Sequence, residues 1–198
     1  MSTGVEAAGD DYQRGVDAIA LMGGALSGLL ELDGELASRP AKPYGRPCIH
    51  ASTISGGSQL SAYPGRCEVG IERCLVPGET VAQARAELEE VLARAGAQEP
   101  RLNATLKQIV GREAMSLARS EPVVTELASV ATRHLGASPE IRGDMGWMDS
   151  GILVEAGIPC VAFGPTGGGE HTGAEWVDLS SVTVCAAVLA DTARSFCA

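Results

Sequence analysis

The 198-residue sequence predicts an α+β fold in residues 1–118 and an incomplete α/β segment in residues 119–198. Before residue 118 the hydrophobic patterns run helix, strand, strand, helix, strand, which is typical of an antiparallel sheet covered on one face by two helices. From residue 119 the order is helix, buried strand, glycine-rich loop and helix, a piece of an α/β layer. One or two strands cannot form a sheet with two covered faces, so we expect the second part to be incomplete.

The first helix is predicted within residues 15–40, because its apolar side chains recur at helical spacing and Pro40 ends the pattern. Three glycines inside it, at positions 23, 24 and 28, weaken the helix intrinsically but let a neighbouring element approach closely. The apolar positions are 16, 19, 22, 26, 29, 30 and 36.

Two strands are predicted next. Residues 48–57 are rich in β-branched side chains and end in a pair of glycines. In residues 65–78, apolar positions 67, 69 and 71 alternate with Glu68 and Glu72 until a Pro-Gly pair ends the strand.

A second helix and a third strand complete the first part. The helix is expected over residues 80–96, with Thr80 as its N-cap and Gly96 as its C-terminal stop. Residues 103–114 alternate in polarity and are predicted to be a strand.

The second part begins near residue 120. We expect a helix over residues 122–136 and a short helix over residues 150–157 that Asp149 can cap. Residues 158–165 form a continuous apolar run between turn residues, which predicts a buried strand. An apolar helix over residues 179–197 closes the chain.

Composition excludes several classes of function. The net charge of −10, with only 15 basic residues, argues against nucleic acid as a partner. No apolar run approaches the ~20 residues of a membrane span, and no basic amphipathic stripe indicates a membrane surface. The six cysteines include no C-x-x-C pair, and the first residues do not resemble a signal peptide. We therefore expect a soluble cytoplasmic protein with reduced, mostly buried thiols.

The stretch GPTGGGEHTGAEWV, residues 164–177, is the main candidate for chemistry. It lacks the order and the lysine of a phosphate-binding loop, so nucleotide binding is not expected. His171 permits a metal site, but residue types alone favour an ordinary surface histidine, because His50 and His134 offer no ligand partners at useful spacing. The serines near residue 55 form no nucleophile elbow.

Three segments together resemble the zinc aminoacylases and carboxypeptidases of peptidase family M twenty. The resemblance is closest to acetylornithine deacetylase and succinyl-diaminopimelate desuccinylase. GVDAIALM is similar to the start of the first helix of the family's lid domain. STISGGSQLSAYPGRCEVGIERCLVPGET is similar to the strand pair that follows in the lid. MDSGILVEAGIPCVAFGPTGGGEHTGAEWV resembles the C-terminal part of the catalytic domain.

The resemblance implies a metallohydrolase. In the family, a catalytic domain holds two zinc ions, and a smaller inserted lid domain mediates dimerisation. The reaction implied is hydrolysis of an amide bond next to a carboxylate, as in N-acyl amino acids or peptides. A zinc-bridging water attacks the amide, and a glutamate acts as general base.

Individual residues carry parts of this resemblance. His171 matches the last zinc ligand, and Thr166 and Gly167 lie in the loop whose backbone contacts the substrate. A lid arginine that binds the substrate carboxylate is expected just before Pro77-Gly78. Arg73 is the candidate, although counting back from Pro77 also reaches Cys74.

Other family features are missing from the sequence. In the family, the remaining zinc ligands and the general base belong to an N-terminal half, and no such segment precedes residue 1 in this sequence. Ala8 stands where a catalytic lid histidine is expected. We therefore expect a C-terminal piece of a zinc amidohydrolase that is inactive by itself and forms a homodimer through its lid. The alternative is a dimerisation or regulatory module without chemistry.

Overall fold

The structure is a computed structural model that describes residues 1–5, 13–39, 44–144 and 146–198. The chain divides into two compact units, residues 1–114 and residues 115–198. Each unit has its own hydrophobic core. Pro40, the predicted end of the first helix, and Ala8, which stands where a lid histidine is expected, lie outside the described residues.

The first unit is the expected α+β domain with two helices on one face of an antiparallel sheet. The order of hydrophobic patterns predicted this arrangement, and the structure adds one strand at the start of the chain. Its elements are β1 (Ser2–Thr3), α1 (Ala18–Ala37), β2 (Cys48–Gly56), β3 (Arg66–Cys74), α2 (Val81–Gln98) and β4 (Asn103–Ala104).

The four strands lie in the order β2-β3-β1-β4, and every neighbouring pair is antiparallel. Strand β1 was not predicted; Ser2 lies opposite Cys67 on one side and Ala104 on the other. The predicted third strand over residues 103–114 is wrong beyond Ala104. Backbone hydrogen bonds continue only to Thr105, which pairs with Met1, and no described segment pairs with the residues that follow.

Local capping explains how the helices begin. The Asp17 side chain accepts hydrogen bonds from two backbone N–H groups at the start of α1. Thr80 caps α2 as predicted, and Gln83 completes a reciprocal capping box with it. The predicted stop at Gly96 is wrong: α2 continues to Gln98, since Gly96 keeps a right-handed helical conformation.

The core of the first unit forms where α1 and α2 pack on the sheet. Gly28 lies so close to α2 that a Cβ atom there would stand 2.8 Å from Val91 Cγ1. The apolar stripe predicted for α1 is partly wrong, because Ile19 and Leu30 are exposed and small residues take core positions instead. The buried core residues include Ala18, Met22, Ala25, Leu32, Leu36, Ile49, Cys67, Val91 and Ala95.

The second unit packs helices against each other around a small core of Leu127, Val130, Ala131 and Val188. Its elements are α3 (Pro122–Leu135), α4 (Ser150–Glu155), β5 (Gly167–Gly168), β6 (Trp176–Val177) and α5 (Leu179–Phe196).

Two local predictions for the second unit are wrong. Residues 158–165 form no strand, because no described segment pairs with them, although Val161 and Phe163 pack on the core of this unit. Asp149 precedes α4, but its side chain caps nothing because its own backbone is already helical. Within the described residues, no helix combines the length and the apolar character needed to cross a bilayer.

Candidate functional site

The glycine-rich stretch after residue 164 folds as a short hairpin of β5 and β6. Gly167 pairs with Val177 and Gly168 pairs with Trp176. A Cβ atom at Gly167 would come within 2.8 Å of the Trp176 carbonyl oxygen, and one at Gly168 would press on the indole ring. Close approach of the second strand therefore requires glycine at position 167, whereas a side chain at position 168 would have to displace the indole ring.

Hydrogen bonds tie the base of this hairpin to α5. The Thr166 backbone N–H donates to Ser181 Oγ at 2.9 Å, and the Asp178 N–H donates to the Thr166 carbonyl at 2.9 Å. Asp178 also caps α5 by accepting from the Ser180 N–H. The Thr166 side chain and Gly167 are exposed, and their predicted contact with a substrate stays a prediction.

His171 lies in the turn of the hairpin with a φ of 61°, the left-handed region. Among described residues other than glycine, it alone has a positive φ. The turn closes around it, since the Thr172 backbone N–H and hydroxyl both donate to the Gly169 carbonyl, at 3.0 and 2.8 Å. A side chain held in this region costs on the order of 1 kcal/mol, and such strain is frequent at functional sites.

The described residues do not form a complete metal centre. Among them, no group of three or more histidine, cysteine or acidic side chains lies close enough together to hold an ion. The imidazole of His171 is exposed and could supply one ligand. A catalytic zinc takes about three protein ligands, so this chain's described residues do not fit a zinc site by themselves.

The other two histidines lie in different elements and are engaged with carboxylates. His50 Nε2 on β2 is 3.4 Å from Glu72 Oε2 on β3. His134 Nε2 on α3 is 2.8 Å from Asp191 Oδ2 on α5. Hydrogen bonds from His134 and then Arg194 hold the pKa of Asp191 below its ordinary value.

Arg73, the candidate substrate arginine, lies in a buried ion-pair network that the sequence did not reveal. Its side chain is 6% exposed, and its Nη2 is 2.7 Å from Glu79 Oε1 and 3.1 Å from Glu87 Oε2. Arg39 also contacts both carboxylates. In this arrangement Arg73 joins the end of β3 to α2, and its role toward a substrate carboxylate stays a prediction.

The network shifts the pKa values of its members. Burial by itself raises the pKa of Glu79, but hydrogen bonds from Arg73, the Val76 N–H and Arg39 outweigh it and leave this pKa below its ordinary value. The Glu87 carboxylate raises the pKa of Arg39. The position of Glu79 directly after Pro77-Gly78 can be read from the sequence. No local sequence pattern, however, predicts that residues as distant in sequence as Arg39 and Glu87 are in contact.

Strand β2 is an edge of the sheet, and its second half is exposed. Residues 51–56 are all exposed, with Ile54 at 57%. The strand contains no Lys, Arg, Asp or Glu. Natural edge strands usually carry such charges to prevent pairing with another chain, so this edge is open to a partner strand.

A family model described as a peptidase dimerisation domain, M20_dimer, matches residues 4–100. The chain is 26% identical over 199 aligned positions to N-formyl-4-amino-5-aminomethyl-2-methylpyrimidine deformylase of Bacillus subtilis strain 168. That alignment covers 92% of this chain and 47% of the deformylase.

Solved structures share the fold. Aminopeptidase PepT of Bacillus cereus superposes with a TM-score of 0.69 at 19% identity, covering 96% of this chain and 48% of PepT. The M20 family metallo-carboxypeptidase Sso-CP2 of Sulfolobus solfataricus superposes with a TM-score of 0.58 at 17% identity, covering 83% of this chain and 41% of Sso-CP2. The chain thus spans about half the length of the relatives it matches.

Proposed function

Because residues 4–100 belong to the peptidase dimerisation domains of the M20 family, we propose that the first unit joins two copies of this chain. The second unit then carries part of the catalytic domain of a zinc-dependent amidohydrolase or peptidase. The observation that supports the assembly most directly is the open, uncharged edge of β2.

Pairing of β2 with β2 of a second copy follows from the chemistry of a sheet edge. An edge strand presents unpaired backbone N–H and C=O groups, and an antiparallel two-fold contact satisfies them with the same strand of another copy. Such a contact joins two four-stranded sheets into one. It also covers Ile54, which is exposed at the edge.

The test is the oligomeric state of the wild-type chain and of Ile54→Lys. We expect a dimer at micromolar concentration for the wild type and a monomer for the variant, because a charged side chain on an edge opposes strand pairing. Ile109→Lys is the matched control, since Ile109 is 91% exposed in the same unit but lies outside the sheet. A monomeric wild type, measured by sedimentation velocity, contradicts the proposal.

The hydrolytic part of the proposal places His171 as one zinc ligand and Thr166, Gly167 and Arg73 at the substrate. It is supported by relatives named as a deformylase, an aminopeptidase and a metallo-carboxypeptidase. The substrate class proposed is an amide next to a carboxylate, as in N-acyl amino acids and short peptides. When bound, zinc would polarise the amide carbonyl and activate water. The residues of this chain would hold one zinc position and contact the substrate.

We propose that the 198-residue chain by itself does not turn over such substrates. Its three histidines lie in three different elements, and one candidate ligand does not hold a hydrolytic zinc. The experiment is an amidohydrolase assay on acylated amino acids and dipeptides with added zinc, together with metal analysis. Turnover by the isolated chain, or two tightly bound zinc ions, would contradict the proposal.

A dimerisation or regulatory module without chemistry is the second candidate, favoured because the family match covers the dimerisation domain alone. Zinc titration followed through the imidazole signals of His171 separates the two. Weak zinc binding that perturbs His171 and disappears in His171→Ala supports the hydrolase assignment. An unperturbed His171 supports the module.

A further inference from the structure

Cys48 and Cys74 lie directly opposite each other on neighbouring antiparallel strands. Cys48 is the first residue of β2 and Cys74 the last residue of β3. The Cys48 side chain lies close enough to the Cys74 thiol to help raise its pKa. Both are free and partly exposed, whereas Cys67 on the same strand as Cys74 is buried in the core.

The pair lies on the sheet face that the helices leave open. The neighbouring residues of each strand, Ile49 and Arg73, point to the helices, since Ile49 is in the core and Arg73 contacts Glu87 of α2. Side chains alternate between the faces of a strand, so Cys48 and Cys74 share the opposite face. A small reagent in solution can therefore approach them without opening the core.

The backbone spacing suits a covalent bond. Directly opposite residues of an antiparallel pair have Cα atoms about 4.5 or 5.5 Å apart. Disulfides span Cα separations of about 4.4–6.8 Å, so the paired positions of Cys48 and Cys74 fall within the range that a disulfide bridges.

We propose that Cys48 and Cys74 form a reversible redox site, which a small-molecule disulfide such as oxidised glutathione closes into a cross-strand disulfide. One cysteine thiolate attacks the oxidant, breaks its S–S bond and releases one glutathione thiolate, leaving a mixed disulfide on the protein. The second cysteine loses its proton, attacks the protein sulfur of that mixed disulfide and expels the second glutathione. The protein loses two S–H bonds and gains one S–S bond, and the oxidant is reduced to two thiols.

The two sulfurs have different parts in this sequence. Burial, and then the neighbouring Cys48 thiol, raise the pKa of the Cys74 thiol to about 12. Since the thiolate is the nucleophile, the raised pKa of Cys74 disfavours it as the first attacker, so we assign the first attack to Cys48 and the resolving step to Cys74. The resolving step therefore accelerates as the pH rises.

The disulfide would join the start of the edge strand to the end of its neighbour, beside the Arg73 network. It closes a loop from residue 48 to residue 74, which restricts the unfolded chain and raises the Tm of the first unit. The inference does not rest on the proposed function, since it needs only the geometry of β2 and β3.

The test is equilibration of the folded chain in glutathione redox buffers, followed by acid quenching, alkylation and tryptic mapping. Trypsin separates the relevant cysteines, because Cys48, Cys67 and Cys74 fall in peptides 15–66, 67–73 and 74–85. We expect a crosslink between the first and third peptides, lighter by two hydrogen atoms than the reduced pair and reversed by excess thiol. The Tm of the oxidised chain should be higher than that of the reduced chain.

Single variants give the control. In Cys74→Ser the resolving thiol is gone, so we expect a stable glutathione adduct on Cys48 and no crosslink. Cys197→Ser, which removes an exposed cysteine near the C-terminus, should leave the crosslink unchanged. The proposal is overturned if Cys48 and Cys74 remain fully alkylated at a potential that modifies Cys197, or if Cys48 links to a different cysteine.

Discussion

The Arg73 guanidinium donates a hydrogen bond of 2.7 Å to the Glu79 carboxylate, across the turn that follows β3. Arg73 also donates to the Cys74 carbonyl, and Glu79 accepts from the Val76 N–H, so the two side chains organise the backbone of this turn. Because Glu87 of α2 shares the same guanidinium, the contact connects sheet and helix.

Arg73→Met should destabilise the first unit strongly. The substitution leaves Glu79 and Glu87 largely buried with Arg39 as their remaining cation. Removing one partner from a buried ion pair costs about 3 kcal/mol or more, which urea unfolding followed by circular dichroism will measure. Arg94→Met is the control: its pair with Glu90 is exposed, so we expect less than about 0.5 kcal/mol. Equal effects of the two variants would contradict a structural role for Arg73.

Glu79 should make the stability of the first unit depend on acid pH. Its pKa in the folded chain lies below the ordinary 4.5, so its contribution is complete above about pH 4.5 and is lost as the pH falls through the folded-state pKa. In that window the unfolded chain binds more protons, and stability rises with pH. Glu79→Gln should flatten this part of the curve, and Glu90→Gln should not. An unchanged slope in Glu79→Gln would show that other carboxylates produce it.

His171→Gly should stabilise the second unit. Glycine adopts the left-handed backbone without the clash that costs another residue about 1 kcal/mol, so we expect a gain of that order at most. Tryptophan fluorescence reports this unit, because Trp147 and Trp176 both lie in it. Glu170→Gly is the matched control, with a φ outside the left-handed region, and should lose about 0.5–1 kcal/mol. A destabilised His171→Gly would mean that the imidazole itself stabilises the turn.

Gly28→Ala and Gly34→Ala should have opposite effects although both lie in α1. A Cβ atom at position 28 meets Val91 at 2.8 Å, whereas position 34 has nothing within 4 Å. Overpacking costs about 1–3 kcal/mol and outweighs the helix propensity gained at position 28. At position 34 the propensity gain of about 1 kcal/mol remains. Chemical unfolding of both variants gives the comparison, and a stabilised Gly28→Ala would show that α1 and α2 can move apart.

Much of the fold could be predicted from local patterns. Local patterns predicted the start of β2, the alternation of β3 and the Thr80 cap, and the structure has all three. Each depends on residues within a few positions of each other. The error at Gly96 shows the limit of such rules, because α2 continues through this glycine to Gln98 and has its C-cap at Glu99.

The candidate site was predicted less completely. The glycine-rich stretch and His171 could be singled out by composition, but the left-handed backbone of His171 arises from the hairpin that Gly169 and Thr172 close around it. The apolar run of residues 158–165 has the composition of a strand, yet a strand exists only where another segment pairs with it.

The sequence by itself determined the positions of the longer helices and of β2 and β3, the uncharged character of β2 and the place of His171 in a glycine-rich loop. Only the tertiary structure decided that β1 lies between β3 and β4, that Arg73 is held by Glu79 and Glu87, and that Cys48 faces Cys74. The physical reason is that helix periodicity and caps act over a few residues. Sheet order, ion pairs and thiol contacts join residues that are distant in sequence and become neighbours only when the chain folds.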